Sequence, residues 1–193
     1  MRPVLLLAAG ASSGVREGKL QKEFQGKSLL QWSLESLTSH ASVSKVHLVC
    51  GGHSDAVKTI AEGFPDVIVV MNEDWKEGLA TSLQAGLRSL PSGGPGVAVS
   101  LADTPFASAS TVKSVLSNDS QKICYPVYRG APGHPKYFPC WCFPHLMELT
   151  GDEGAKSILK KFPHQTVALD VEDPGVVRDF DSPCDFEFRK TPS

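Results

Sequence analysis

The sequence predicts an α/β fold with a mainly parallel sheet covered by helices on both faces. Two observations carry this. Short apolar, β-rich runs recur at residues 4–8, 46–50, 67–71, 97–101 and 123–128. Between the first four lie stretches whose apolar residues follow helical spacing. Strands that alternate with helices pair in parallel, and crossover helices then bury both sheet faces.

The elements follow in order. The 4–8 run leads into small residues, and its near-continuous apolar character suits a strand buried on both sides. Leu29, Trp32, Leu34 and Leu37 mark a first helix. Val57, Ile60, Ala61 and Phe64 mark a second. Leu79, Leu83, Leu87 and Leu90 repeat at four, four and three residues and mark a third. A Gly/Pro turn at 91–96 is too short to link domains. A second at 130–135 reads as a hairpin or active-site loop. Beyond it a helix is expected near Pro144 and another from about Asp152 through Ala155, Ile158 and Leu159. Residues 167–169 and 176–177 read as short strands. A chain of 193 residues suits one domain, 1–193.

Parallel sheets bind ligands beyond the carboxyl ends of their strands. That rule brings three loops to one rim: the 10–19 loop, Gly51-Gly52-His53 and Ala102-Asp103-Thr104. The first is the most informative. After Leu7 come Ala8, Ala9, Gly10, Ala11, Ser12, Ser13 and Gly14, then the cations Arg16 and Lys19. Small residues let backbone approach a ligand, and successive free N–H groups make a concave anion site. A nucleoside triphosphate is the expected ligand. The pattern is neither the Walker phosphate loop, which ends Gly-Lys-Ser/Thr, nor the dinucleotide fingerprint G-x-G-x-x-G.

Composition bounds the partners. Apolar residues make up 41% and charged residues 21%, as in ordinary globular proteins. A net charge of −2 argues against nucleic-acid or acidic-membrane partners. No apolar run approaches the roughly 18 residues that span a bilayer. Five cysteines without zinc-site spacing fit reduced thiols and a cytoplasmic location. Cys140-Trp141-Cys142 reads as packing, since one alternating pair lacks partners for a metal.

Further segments give the opening loop a context. They are Asn72–Leu79 followed by Ser82–Leu87, Leu101-Ala102-Asp103-Thr104-Pro105, Gly133-His134-Pro135, Gly151-Asp152-Glu153-Gly154-Ala155, and the closing Arg178-Asp179-Phe180-Asp181-Ser182-Pro183. In order and spacing they resemble the MobA-like nucleotidyltransferases, with the molybdenum cofactor cytidylyltransferases as the nearest branch. The resemblance runs from Leu5 to about Phe186. It implies a Rossmann-like α/β/α domain of the nucleotide-diphospho-sugar transferase type. It also implies transfer of CMP from CTP to molybdopterin-type molybdenum cofactor, release of pyrophosphate, and Mg²⁺ or Mn²⁺ as cofactor. A molybdoenzyme that receives the product is an implied partner. The Leu7-Ala8-Ala9-Gly10 form resembles cytidine-using members, since guanosine-using relatives carry a second glycine at the position of Ala9.

The same resemblance assigns roles. Asp103 is the first metal ligand and a catalytic residue; its plainer reading is an N-cap or Asx-turn aspartate. Asp181 is the second metal ligand, with an N-cap as its plainer reading. Lys19 contacts the triphosphate and stabilises the transition state. Leu7, Ala8, Ala9, Gly10, Ser12, Arg16, Gly78 and Ser82 line the nucleotide. His134, Gly151 and Asp152 face the acceptor, with Asp152 as a helix N-cap the alternative.

One departure stands out. Family members carry Arg-Met-Gly where this chain has Gly14, Val15 and Arg16. The usual arginine is absent from its place, and Arg16 lies two residues further on. Loss of one well-placed charge donor costs about 10²–10³ in rate. Two other functions therefore stay open: transfer to another phosphorylated acceptor, such as a sugar or polyol phosphate, and a non-catalytic chaperone that carries the cofactor to a molybdoenzyme.

Overall fold

Strand β1 (Arg2–Leu7) shows why the opening run is apolar throughout. The computed structural model describes residues 1–9, 18–51 and 55–180, and β1 is an interior strand of its main sheet. It pairs in parallel with β4 (Val43–Cys50) on one side and β6 (Gly96–Leu101) on the other. Alternation then sends Leu5 and Leu7 to one face and Val4 and Leu6 to the other. Leu5 and Leu7 join a core with Val49, Leu83, Leu87, Phe138 and Ile158. Val4 and Leu6 join a second core with Leu30, Leu34, Val57, Val112 and Leu116. Two cores on opposite faces make the predicted three layers.

Helix α1 (Leu29–Thr38) begins at a capping box: Ser28 Oγ accepts from the Gln31 N–H, and Gln31 Oε1 accepts from the Ser28 N–H. Helices α2 (Asp55–Ala61) and α3 (Leu79–Arg88) carry the predicted apolar stripes except for Phe64 and Leu90, which lie past their ends, and β5 (Val67–Met71) adds the outer parallel strand. A two-stranded hairpin of β2 (Glu23–Phe24) and β3 (Lys27–Ser28) stands apart.

The second half departs from simple alternation. Helix α4 (Ala109–Ser117) and strand β9 (Lys136–Pro139) were not foreseen. The apolar signal of α4 is only Val112, Val115 and Leu116 in a Ser-rich stretch. It is secured by its cap: Ser108 Oγ accepts from the Thr111 N–H, and Asp173 accepts from the Ser108 N–H and the Thr111 hydroxyl. Those bonds hold the Asp173 carboxyl below its usual range against the opposing effect of burial. Strand β7 (Ile123–Tyr128) turns back through the short β8 (Ala131–Pro132), the hairpin read from the Gly/Pro loop. Strand β9 then inserts antiparallel between β6 and β7, and β10 (Thr166–Asp170) pairs in parallel beyond β7.

Two expectations are corrected. Residues 176–177 are not a strand. Pro174–Val176 is a 3₁₀ turn in which Asp173 accepts from the Gly175 N–H, and a Cβ on Gly175 would lie 1.8 Å from the Phe106 carbonyl oxygen. The last predicted helix does not begin near Asp152; α6 (Lys156–Lys161) begins four residues later, after α5 (Phe143–Met147). Its Ala155 cap has no side-chain bond, so Asp152 is not its N-cap. No described helix is long and apolar enough to cross a membrane.

Candidate active site on the sheet rim

The carboxyl ends of β1 and β6 deliver the first pair of site residues. β1 ends at Leu7, which sits in the core, and the Ala8 N–H donates to the Val49 carbonyl at 2.9 Å. Ala9 is buried. Gly18 takes a left-handed φ of 86° and opens a 3₁₀ turn, Lys19–Gln21. That turn carries the Lys19 side chain inward, where it is 10% exposed.

Asp103 follows β6 by two residues. Its loop is fixed by backbone bonds: the Ala102 N–H donates to the Leu7 carbonyl, and the Phe180 N–H donates to the Asp103 carbonyl. Lys19 Nζ donates to Asp103 Oδ2 at 2.9 Å across 84 residues of sequence. Asp103 is no helix cap, because Ser108 caps the next helix. Its second oxygen, Oδ1, is buried and accepts no hydrogen bond among the described residues. Buried carboxylate oxygens are rarely left unpartnered, since desolvation without compensation is costly. An orphaned oxygen beside a cation-bonded one fits a divalent ion in the coordination expected for magnesium, one or two carboxylates with phosphates and water. Among the described residues no group of three His, Cys, Asp or Glu could hold a metal alone. Among the described residues, Asp103 is the carboxylate that reaches such an ion, and phosphates and water complete the coordination expected for it.

Gly10, Ser12, Arg16 and Asp181 lie outside the described residues, as does Gly14.

A second cluster joins the loop before α3 to the loop before α6. Gly78 has φ 115°, and a Cβ there would fall 2.2 Å from the Gly151 carbonyl carbon and oxygen. The Ala80 N–H donates to the Gly151 carbonyl at 3.0 Å. Two positions assigned to different substrates, nucleotide and acceptor, are thus in backbone contact. Ser82 is buried, and its hydroxyl accepts from Asn72 Nδ2 at 3.0 Å. The same amide reaches Thr81, and Asn72 Oδ1 accepts from the Asp74 N–H. Asn72 is thereby the hub that shapes this loop, and Ser82 is one of its supports. Trp75 packs on Gly51, where a Cβ would meet its ring at 2.8 Å. Asp152 is exposed. Its neighbour Glu153 closes the loop by accepting from the Thr150 N–H.

The third cluster contains a residue that the sequence reading passed over. His134 Nε2 lies 2.7 Å from Lys136 Nζ, and Nδ1 lies 3.3 Å from the Val99 carbonyl. An ammonium can only donate, so Nε2 accepts and the Nδ1–H faces Val99. Burial, reinforced by Lys136, drops the His134 pKa to about 3 despite the Val99 bond, so the ring is neutral at physiological pH. Burial, then the charge of Lys156, brings Lys136 down to about 7. Lys136 is 5% exposed. A signal was present: a lysine two places before Phe138 points to the same face of a strand. It went unread because β9 itself was not foreseen.

A sheet rim that pairs a lysine with a half-orphaned carboxylate suits a phosphate-bearing ligand, and a family match makes the class a nucleotidyltransferase. Residues 4–167 match the MobA-like NTP transferase domain, and the chain belongs to that family. It is 27% identical to the purine catabolism protein PucB of Bacillus subtilis, over 95% of this chain and 93% of that one. Rv0371c of Mycobacterium tuberculosis superposes with a TM-score of 0.77 at 25% identity, covering 96% and 95% of the two chains. Rv0371c is also known as a complex with manganese. The inositol-1-phosphate CTP transferase of T. maritima shares the fold, with a TM-score of 0.73 at 18% identity over 97% and 92% of the chains.

Proposed function

We propose that the chain transfers CMP from CTP to a molybdopterin-type molybdenum cofactor and releases pyrophosphate. The observation that carries the transfer chemistry is the Lys19–Asp103 pair with its unsatisfied Oδ1. Asp103, joined by Asp181, would hold Mg²⁺ or Mn²⁺. Such an ion supplies neutralisation of phosphate charge and fixes phosphate orientation. Manganese in the complex of the relative Rv0371c supports a divalent ion of this kind. Asp181 directly follows Phe180, whose amide is tied to the Asp103 carbonyl.

The protein's own part is alignment and charge. Lys19 comes from the loop after β1, so the cation that bonds Asp103 also borders the proposed triphosphate loop of Ala8, Ala9, Gly10, Ser12 and Arg16. As pyrophosphate leaves, negative charge builds on its oxygens, and a lysine held at the rim stabilises that charge. Gly78 and the Asn72-supported Ser82 turn border the base and ribose. Gly151, Asp152 and His134 face the acceptor, whose phosphate oxygen attacks the α-phosphorus in line. Ala9, in place of a second glycine, supports cytidine, as does the CTP-using relative of the same fold.

The deciding assay is pyrophosphate release from CTP and Mg²⁺ with and without molybdenum cofactor. Release only in the presence of the cofactor upholds the reading. Release with a sugar or polyol phosphate instead reassigns the acceptor. Tight cofactor binding with no release under any nucleotide makes the chain a carrier.

A further inference from the structure

We propose that Lys136, seated on His134 and backed by Lys156, is the receptor for the anionic group of the acceptor, a phosphate monoester. The assignment of that anion to an acceptor rests on the nucleotidyltransferase reading above. Three observations meet here. Lys136 is almost wholly buried, yet among the described residues no carboxylate pairs with it. Its ammonium has three N–H donors, and among the described residues the neutral His134 ring is the partner that takes one of them. A buried ammonium without a counter-ion is costly, and apolar replacement of such groups is often stabilising. Phe138, two places along the same strand, fills that sheet face with an apolar ring. Packing alone therefore gives no reason for a lysine.

Position supplies the reason. Lys136 pairs with Val99 of β6, four residues before Asp103. β9 runs antiparallel to β6, so the step back from Lys136 to His134 leads toward the rim that carries Asp103. Lys136 and Phe138 share the face covered by α3 and α6, where Gly78 meets Gly151. Lys156 opens α6 on that side, and its charge is felt at Lys136. Lys156 is exposed on that helix, and a dianion on Lys136 would offset the charge that Lys156 projects there. His134 holds the ammonium in place and, being neutral, leaves its charge for the ligand.

The test titrates inorganic phosphate at pH 6.5 into the full chain, alone and saturated with CTP and Mg²⁺, and reads melting temperature and calorimetric affinity. Prior saturation with CTP separates an acceptor site from the triphosphate site. Lys136→Met and Lys136→Gln should melt at or above the wild type without phosphate, and should bind phosphate at least tenfold more weakly. Their CTP affinity should be unchanged, and Lys156→Gln should weaken phosphate by a smaller factor. Unchanged phosphate affinity in both Lys136 variants overturns the proposal. So does a lowered melting temperature in both, which makes Lys136 a structural residue. A parallel loss of CTP affinity also overturns it, because the anion is then the nucleotide's. If CTP fails to bind even the wild type, the transferase reading falls, while the nucleotide-free titration still judges the anion site.

Discussion

Asp103 meets the rim with one oxygen on Lys19 and, among the described residues, the other without a hydrogen bond. Asp103→Asn keeps the shape and removes the charge. We expect turnover to drop by about 10²-fold or more, by analogy with loss of a key charge-stabilising group, with melting temperature little changed. Retention of full metal-dependent activity would remove Asp103 from the site. Lys136 gives a prediction of a different kind, because its folded pKa lies below its unfolded one. The unfolded chain then binds more protons between pH 7 and about 10. Stability therefore rises with pH across that window and is lost as pH falls back toward 7. The slope approaches at most about 1.4 kcal/mol per pH unit. Lys136→Met should lack this component, so the wild-type minus variant stability should grow more favourable from pH 7 to 10. The neighbours that bear on it are Lys156 and the neutral His134. His134, lowered in the same way, adds a separate loss of stability as pH falls below about 6.5. Urea unfolding at a series of pH values measures both.

At the scale of elements, the contact between the α3 and α6 loops is what a single methyl group can break. Gly78→Ala would place a Cβ 2.2 Å from Gly151 backbone at a φ that L-residues rarely adopt. Strain of this sort costs about 1–3 kcal/mol before any steric displacement. At about 2–4 °C per kcal/mol for a chain of this size, thermal melting should fall by several degrees. Gly151→Ala also has positive φ, but open space surrounds its Cβ, so its loss should be smaller. Equal losses would mean that backbone strain, not the contact, decides. The elements most legible in the sequence were those whose burial repeats on a fixed period, such as β1, β4, β5, β6 and α1 to α3. What escaped was set by partners far along the chain. Helix α4 depends on Asp173 for its cap, and the 174–176 turn on Phe106. Strand β9 is four residues long and carries a lysine inward, so no period-2 apolar pattern announces it. In the candidate site, the meeting of Asp103 and Lys19 was legible because a sheet rim gathers strand-end loops. Asp152 as a helix cap was not borne out, because Gly151 is engaged by Ala80 and the helix starts only at Lys156. Lys136 was hidden with its strand.

For the whole molecule, the central question is which nucleotide the assembled rim prefers. Ala9 is buried at the end of β1, where a methyl group narrows the space that a glycine would leave. That constriction should favour the smaller pyrimidine over a purine. A ligand at a hundred times its dissociation constant stabilises the folded state by about 2.7 kcal/mol. With about 2–4 °C per kcal/mol, CTP and Mg²⁺ should raise the melting temperature by roughly 5–10 °C. A tenfold weaker GTP, at the same concentration, contributes about 1.4 kcal/mol less and should fall short by about 3–6 °C. Without the divalent ion both shifts should shrink, since Asp103 then repels the triphosphate that a shared cation would bind to it. Ala9→Gly should narrow the gap between the two nucleotides. Equal shifts for CTP and GTP in the wild-type chain would defeat the cytidine assignment while leaving transferase chemistry intact. On the proposed reading the two outcomes separate because base choice would fall to Ala9, whereas Asp103 and Lys19 would meet phosphates that every nucleotide carries.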